Sequence, residues 1–171
     1  IKVTELGKII EKTIKLHGLK PIKNLGGHQI ERYNLHAGIF IPNYNSGDKN
    51  KLKKGDILAI EPFASTGKGY VENTGIPEIF LVIQGNTIKN RNTKKILNAI
   101  DYFDSLPFSK LNLNNISSKN SLEKINQALT EINELNRLHS FHPLSDQKNT
   151  LTSQSEHTVI VGNKAIITTV Y

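Results

Sequence analysis

Cysteine is absent from this chain of 171 residues, and so are methionine and tryptophan. The lack of cysteine excludes disulfides, thiolate catalysis and cysteine-bound zinc or iron–sulfur sites. No stretch approaches the roughly 18 consecutive apolar residues of a membrane-spanning helix. No charged-then-apolar leader opens the chain. We therefore expect neither a membrane span nor a secretory signal.

Acidic residues are outnumbered by basic ones, 15 against 22, which gives a net charge of +7. Lysine supplies 19 of the 22 basic residues, and the abundance of lysine, asparagine and isoleucine is typical of an AT-rich genome. The loop Lys49–Lys54 carries four of these lysines. It is interpreted either as a solvated loop or as a contact for a polyanion such as RNA.

Hydrophobic periodicity predicts a mixed α/β chain that is long enough to bury about 70% of its unfolded surface. Residues 4–18 match a helix that begins at Thr4 and ends at Gly18. The remaining predicted helices are 93–103 and 121–135, joined by a polar connector at 112–120. The predicted extended segments are 19–42, 56–63, 79–84, 152–161 and 165–170, and residues 139–150 are predicted to be irregular.

Two glutamates stand beside apolar strand sequences. Glu61 follows Ile57–Ile60, and Glu156 precedes a β-branched run. A carboxylate in such a place needs a metal, a cation or a proton. A divalent-metal site with nearby histidine is one interpretation, and an ion pair or a sheet-edge position for each glutamate is the other.

Four motifs occur in a familiar order. They are Asn24–Ile30 (NLGGHQI), Leu35–Gly38 (LHAG), Ala59–Gly67 (AIEPFASTG) and Gln154–Thr158 (QSEHT). In order and spacing they resemble the type II methionine aminopeptidases of archaea and eukaryotes, and the resemblance covers essentially the whole chain. The resemblance implies a pita-bread α/β fold, in which curved antiparallel sheet is backed by helices. Residues 1–90 and 151–171 would form the C-terminal half of that catalytic domain, and residues 91–150 a helical, winged-helix-like insertion.

The same resemblance implies a cytoplasmic metalloaminopeptidase that removes the initiator methionine from nascent polypeptides. Two divalent ions, of cobalt, manganese, iron, zinc or nickel, would hold a bridging hydroxide. His28, Glu61 and Glu156 would bind metal, with Glu156 bridging both ions. Glu61 would also relay a proton, and His36 would hydrogen-bond the substrate. Leu35, Phe141 and Leu144 match positions near the pocket for the methionine side chain.

The chain departs from the family pattern in its ligand count. The family site uses five metal ligands, of which three are matched here, and the two unmatched ligands are aspartates. We therefore expect the C-terminal part of the enzyme, inactive without an N-terminal half that would be its partner. A partial sequence, a truncated protein and a split enzyme all remain open. Two alternative functions also remain open. One is a relative of the same fold that binds ribosomes or RNA through Lys49–Lys54 and has no catalytic activity. The other is another pita-bread peptidase.

Two geometric predictions follow from spacing. On one straight strand, His28 and His36 would lie about 26 Å apart, so a shared site requires the chain to reverse near Glu31 to Asn34. Glu61 and Glu156 can converge only if their strands run side by side. Ile57, Ala59 and Glu61 should then share one face of the sheet.

Overall fold

In the computed structural model, which describes residues 1–116 and 121–170, the chain folds into two units. The first comprises Ile1–Asn73 and the segment from Leu144 onward, and the second comprises Thr74–Pro143. The helices are α1 Val3–Leu16, α2 Arg91–Ile100, a 3-10 turn Asp101–Phe103, α3 Lys110–Ile116 and α4 Leu122–Glu134. The strands are β1 Lys20–Pro21, β2 Gly26–Gln29, β3 Phe40–Pro42, β4 Ile57–Ile60, β5 Phe63–Ser65, β6 Glu72–Asn73, β7 Ile79–Val82, β8 Phe108–Ser109, β9 Leu138–Phe141, β10 Leu144–Ser145, β11 Thr152–Gln154, β12 His157–Ile160 and β13 Ile166–Ile167.

Helix α1 confirms the first predicted helix, with a shifted start. Its buried face carries Val3, Gly7 and Ile14, at the spacing of one helical stripe. Gly18 follows the helix with φ +70°, as a terminating glycine should. Thr4 was wrong as the N-cap, because it lies inside the first turn and its hydroxyl donates to Asn45 Oδ1 at 2.8 Å.

The main sheet of the first unit is antiparallel, with strand order β13-β12-β4-β2-β3. Ala59 pairs with His28 on one side and with Thr158 on the other. These three residues therefore form one row on a single face of the sheet. The predicted side-by-side arrangement of the strands leading to Glu61 and Glu156 is confirmed.

Two predicted strands are each divided in the structure. The segment 56–63 splits into β4 and β5, and the segment 152–161 splits into β11 and β12. Strands β5 and β11 pair with each other, and β1 joins β5 to complete a separate three-stranded sheet. Pro62 has no N–H to donate at the first break, and Ser155 lies at the second, where its N–H donates to the Pro62 carbonyl at 3.2 Å.

The opposite face of the main sheet covers an apolar cavity of about 300 Å³. Leu58 and Ile60 of β4 line it, together with Val159 of β12 and with Ile1 and Leu52. Because side chains alternate along a strand, Ala59 and Glu61 point to the other side. Among the helices described in this chain, none combines the length and apolarity that crossing a bilayer requires.

The second unit packs helices α2, α3 and α4 around a core that includes Phe108, Leu113 and Ile125. A sheet of order β8-β7-β9 belongs to the same unit. The unit begins before residue 91 because β7 pairs with β8 and β9. That it corresponds to the family's insertion remains a prediction.

Several local predictions within this region are confirmed and others are wrong. Ser121 caps α4 as expected, its hydroxyl accepting from Lys124 N at 3.4 Å. The segment 112–120 was expected to be a polar connector between helices, yet α3 continues through residue 116, and residues 117–120 lie outside the described part of the chain. The stretch 139–150 was also expected to be irregular, but it contributes to β9 and β10 through pairing with distant strands.

Asp146 connects two segments of the first unit. Its carboxylate accepts hydrogen bonds from Ser65 Oγ at 2.6 Å, Gly69 N at 2.7 Å and Lys68 N at 3.0 Å. Burial alone would raise the pKa of Asp146, but the hydrogen bonds from Ser65 and these backbone amides outweigh it and hold the pKa below its ordinary value. The ionised carboxylate therefore stabilises the folded chain.

Replacing Asp146 by alanine is expected to lower the free energy of unfolding by about 2 kcal/mol at neutral pH, since hydrogen bonds to a charged group are lost. A depressed folded pKa gives stability that is present above the unfolded pKa of about 3.9. That stability is lost as the pH falls through the folded pKa. Urea unfolding at pH 7 and near pH 3 measures both effects. If the difference in unfolding free energy between the wild type and the alanine variant does not change with pH, the charge of Asp146 has no role in stability. Asp146→Asn serves as the uncharged control.

Candidate functional site

A tight turn brings two histidines of the sequence motifs together. Glu31 N donates to Asn34 O and Asn34 N donates to Glu31 O, each at 3.0 Å. The chain then returns beside β2, with Ala37 N donating to Gln29 O at 2.8 Å. The rings of His28 and His36 lie 4.3 Å apart between centroids, tilted by 55°. The predicted reversal between them is confirmed.

His28 contacts the first of the two glutamates. Its Nε2 lies 3.0 Å from Glu61 Oε1, and both side chains are largely buried, with 12% and 14% of their surface exposed. The pKa of Glu61 is raised, first by burial and then by the negative charge of Glu156, while His28 and Gln154 act in the opposite direction. The carboxylate is thus held in a place that disfavours its charge unless a cation is present.

The two glutamates face each other across the strand breaks. Ile60 pairs with His157 before the break and Phe63 pairs with Gln154 after it, so the register is the same on both sides. Continued through the break, this register places Glu61 opposite Glu156. Like charges in that relation destabilise a sheet, so the pair needs a cation, a proton or a hydrogen-bond donor beside it.

Gln154 is a residue of the candidate site that reasoning from sequence missed. Its Nε2 donates to Glu61 Oε2 at 2.9 Å and to Glu156 Oε2 at 3.3 Å, so one neutral amide joins both carboxylates. Glu61 Oε2 and Glu156 Oε2 are therefore no farther apart than the two hydrogen-bond lengths together, so the two carboxylates lie close to each other as predicted. The sequence signal for Gln154 was its place in the motif Gln154–Thr158, two residues before Glu156, but only Glu156 of that motif was given a role.

His36 lies at the exposed side of this cluster. The pKa of its imidazole is lowered, first by partial burial and then by the neighbouring His28. A neutral imidazole can both accept and donate a hydrogen bond. That chemistry suits a residue that contacts a polar substrate group rather than one that carries a fixed charge.

The predicted pocket residues are placed in three different settings. Leu35 precedes His36 and is 40% exposed. Leu144 pairs with Asn73 in the first unit and is 45% exposed. Phe141 belongs to the second unit, where it pairs with Ile79. Their part in a methionine pocket remains a prediction.

The donors at this site match in type what a borderline divalent cation prefers, namely imidazole nitrogen and carboxylate oxygen. Glu61 and Glu156 oppose each other without a lysine or arginine ion pair in the described ranges. Within residues 1–116 and 121–170, however, no three His, Asp or Glu side chains are arranged to hold a metal ion. The residues therefore fit part of a metal donor set and do not complete one.

Comparison with curated proteins finds methionine aminopeptidases along nearly the entire chain. The protein of Thermococcus onnurineus is 40% identical over 99% of this chain and 57% of its own length. That of Methanothermobacter thermautotrophicus is 33% identical over 94% of this chain and 53% of its own length. The Pyrococcus abyssi protein is 37% identical over 99% of this chain. The chain thus spans a little more than half the length of these relatives.

Solved structures show the fold. A thermophilic Arx1 superposes with a TM-score of 0.72 at 14% identity, over 93% of this chain and 43% of that protein. The methionine aminopeptidase of Rickettsia prowazekii gives a TM-score of 0.52 at 18% identity, over 99% of this chain and 43% of that protein. These proteins have the pita-bread fold, which confirms the predicted fold class, while the winged-helix character of the insertion remains a prediction.

A family model gives the assignment that these likenesses suggest. The model of metallopeptidase family M24 matches residues 1–91, more than half of the chain. The matched range includes β2 with His28, the turn that brings in His36, and β4 with the following Glu61. The chain therefore belongs to metallopeptidase family M24.

Proposed function

We propose that this chain carries part of the active site of a methionine aminopeptidase, which releases the N-terminal methionine of nascent polypeptides in the cytoplasm. The observation that carries the proposal is the convergence of Glu61 and Glu156 on the Gln154 amide, with His28 in contact with Glu61. The names of the relatives support it. A non-catalytic relative would have no use for such a converging set, so the enzyme is favoured over the RNA-binding alternative.

His28, Glu61 and Glu156 are the residues that would hold divalent metal. At such a site metals supply Lewis acidity toward the scissile carbonyl and a lowered pKa for water. The proposed full set is two ions with five protein ligands, so further ligands from outside this chain would complete it. The proposal leaves the metal open among cobalt, manganese, iron, zinc and nickel.

Glu61 is proposed as the proton carrier of the reaction. Its pKa is raised by burial and by Glu156, and a general base is most effective when its pKa is close to the working pH. The carboxylate would take a proton from the attacking water and return it to the leaving amine. Gln154 would hold the same carboxylate in orientation through its amide.

His36 is proposed as the substrate-binding histidine. Its ring lies against His28 on the exposed side of the cluster, where a bound peptide can reach it. A neutral His36 could donate a hydrogen bond to the carbonyl oxygen of the bond that is cleaved. Leu35, Phe141 and Leu144 remain assigned to the methionine side-chain pocket by resemblance alone.

The test is release of methionine from a Met-Ala-Ser peptide by residues 1–171 mixed with the N-terminal half of a type II relative and supplied with cobalt or manganese. We expect metal-dependent turnover that a chelator abolishes and that a bulky second residue in the peptide suppresses. Residues 1–171 alone are expected to be inactive, and addition of the N-terminal half of a type II relative is expected to restore turnover. Turnover that is indifferent to the chelator, or no methionine release when the ligand set is complete, would contradict the proposal.

A further inference from the structure

An exposed aromatic ring lies on the face of the main sheet that carries His28. Phe40 of β3 is directly paired with His28 of β2, and directly paired residues point to the same face. The side chain of Phe40 is 46% exposed. It is therefore accessible to a molecule that approaches the candidate site from this face.

The ring of Phe40 covers Gly26, the next residue of β2 whose side-chain position is on the same face. A Cβ added at Gly26 would lie 2.9 Å from Phe40 Cζ and 3.1 Å from Phe40 Cε2. The glycine thus leaves the space that the ring occupies. Phe40 extends along the sheet from the position of His28 towards that of Gly26.

Gly26 lies beside Glu61. The pairing of His28 with Ala59 sets the register of β2 against β4, and the same register continued by two residues places Gly26 opposite Glu61. The close approach of the two chains at this point supports that continuation, because a Cβ on Gly27 would lie 3.0 Å from Glu61 N. Neighbouring strands are about 4.8 Å apart, so the ring over Gly26 lies about one strand spacing from Glu61.

The strand order places an apolar group and a charged group on opposite sides of Glu61. Strand β4 lies between β12 and β2 in the sheet. Glu156, which precedes β12, therefore borders Glu61 on one side, and the Phe40 ring borders it on the other. The Phe40 side is the one that can accept an apolar part of a bound peptide.

We propose that the Phe40 ring limits the size of the side chain that follows methionine in the substrate. This inference rests on the proposed function, in which Glu61 returns a proton to the leaving amine. That amine is the backbone nitrogen of the second substrate residue, and the side chain of that residue begins two bonds from it. A methyl group fits between the nitrogen and the ring, whereas a long or branched side chain meets the ring.

The experiment compares cleavage of Met-Gly-Ser, Met-Ala-Ser and Met-Leu-Ser peptides by residues 1–171 mixed with the N-terminal half of a type II relative and supplied with manganese. Phe40→Ala is expected to raise kcat/KM for Met-Leu-Ser about tenfold, the order of discrimination that an apolar pocket achieves. It should lower kcat/KM for Met-Ala-Ser about threefold, because the contact with the methyl group is lost. Phe40→Trp, with a larger ring, should lower kcat/KM for Met-Ala-Ser relative to Met-Gly-Ser.

A binding measurement gives a readout that does not depend on turnover. Calorimetry is carried out with analogues of Met-Leu-Ser and Met-Ala-Ser in which a methyleneamine replaces the amide that would be cleaved. Phe40→Ala is expected to bind the leucine analogue about tenfold more tightly than the wild type does. It should bind the alanine analogue more weakly than the wild type.

Ile57→Ala is the matched control. Ile57 is an apolar side chain, 39% exposed, on the same face of the sheet, but it precedes Glu61 by four residues, about 13 Å along β4. The ratio of kcat/KM for Met-Leu-Ser to that for Met-Ala-Ser should equal the wild-type ratio in this variant. An equal rise of the ratio in Ile57→Ala and Phe40→Ala would overturn the inference, because a loosened sheet would then explain both.

The outcome for Phe40 is distinguishable from the outcome for the enzyme. Wild-type turnover combined with the same substrate ratio in the wild type, Phe40→Ala and Phe40→Trp would refute the role of the ring and leave the proposed function intact. A wild-type mixture that releases no methionine from any of the three peptides would instead refute the proposed function, and the role of Phe40 with it.

Discussion

Replacing Glu61 by glutamine is expected to reduce methionine release about a thousandfold in the protein with its complete metal set. The amide keeps the shape of the side chain but cannot carry a proton between water and the leaving amine. General acid–base catalysis contributes about a hundredfold to ten-thousandfold, and one metal ligand is weakened as well. The readouts are kcat for peptide cleavage and metal content, measured in parallel.

The two readouts separate the roles of Glu61. Loss of kcat with retained metal identifies a proton carrier, and loss of both identifies a ligand. Glu78→Gln is the control, because Glu78 is exposed in the second unit, and its activity should equal that of the wild type. A Glu61→Gln variant with full turnover would remove this residue from the catalytic machinery.

Replacing Gly27 by alanine is expected to destabilise the first unit by about 3 kcal/mol or more. An added Cβ would meet the Ala59 carbonyl oxygen at 2.2 Å and Glu61 N at 3.0 Å. Both are backbone atoms of or beside the neighbouring strand, so relief requires β2 and β4 to move apart. Overpacking of this kind costs about 1–3 kcal/mol and sometimes more, a large part of a typical folding free energy.

Gly47→Ala is the control for a general effect of losing glycine. Gly47 has φ +76° and open space around it, so alanine there meets only a conformational penalty of about 1 kcal/mol. Urea unfolding of the three proteins compares the losses. If Gly27→Ala is no more destabilising than Gly47→Ala, the tight spacing of β2 and β4 is not a constraint on the fold.

The features predicted well from sequence depend on local geometry. Two histidines eight residues apart can share a site only across a turn, and the turn lies at Glu31–Asn34 where that argument placed it. Ser121 and Gly18 were recognised because helix ends have simple chemical requirements. Glu61 and Glu156 were noticed because a carboxylate beside an apolar strand needs a partner.

The features that were missed depend on pairing between distant segments. Pro62 is a local signal for the end of a strand, but nothing local shows that the chain passes from one sheet to another there and again at Ser155, since only the partner strands reveal the second sheet. Gln154 contacts both glutamates because it lies at the end of β11, where the chain leaves one sheet for the other. The short strands near residues 138–145 form for the same reason, through partners more than 50 residues away.

The pairing of β12 with β4 also determines the order in which the candidate site can assemble. His28, His36 and Glu61 lie within 34 positions of one another and can meet once a short stretch has formed. Glu156 arrives only when a loop that includes the entire second unit has closed, and closing a longer loop has a larger entropic penalty. On a ribosome, the early half of the site emerges and folds while the opposing carboxylate is still to be made. A slowly folding second unit would therefore delay completion of the glutamate pair through chain connectivity alone, even when the defect lies far from any residue that carries the chemistry.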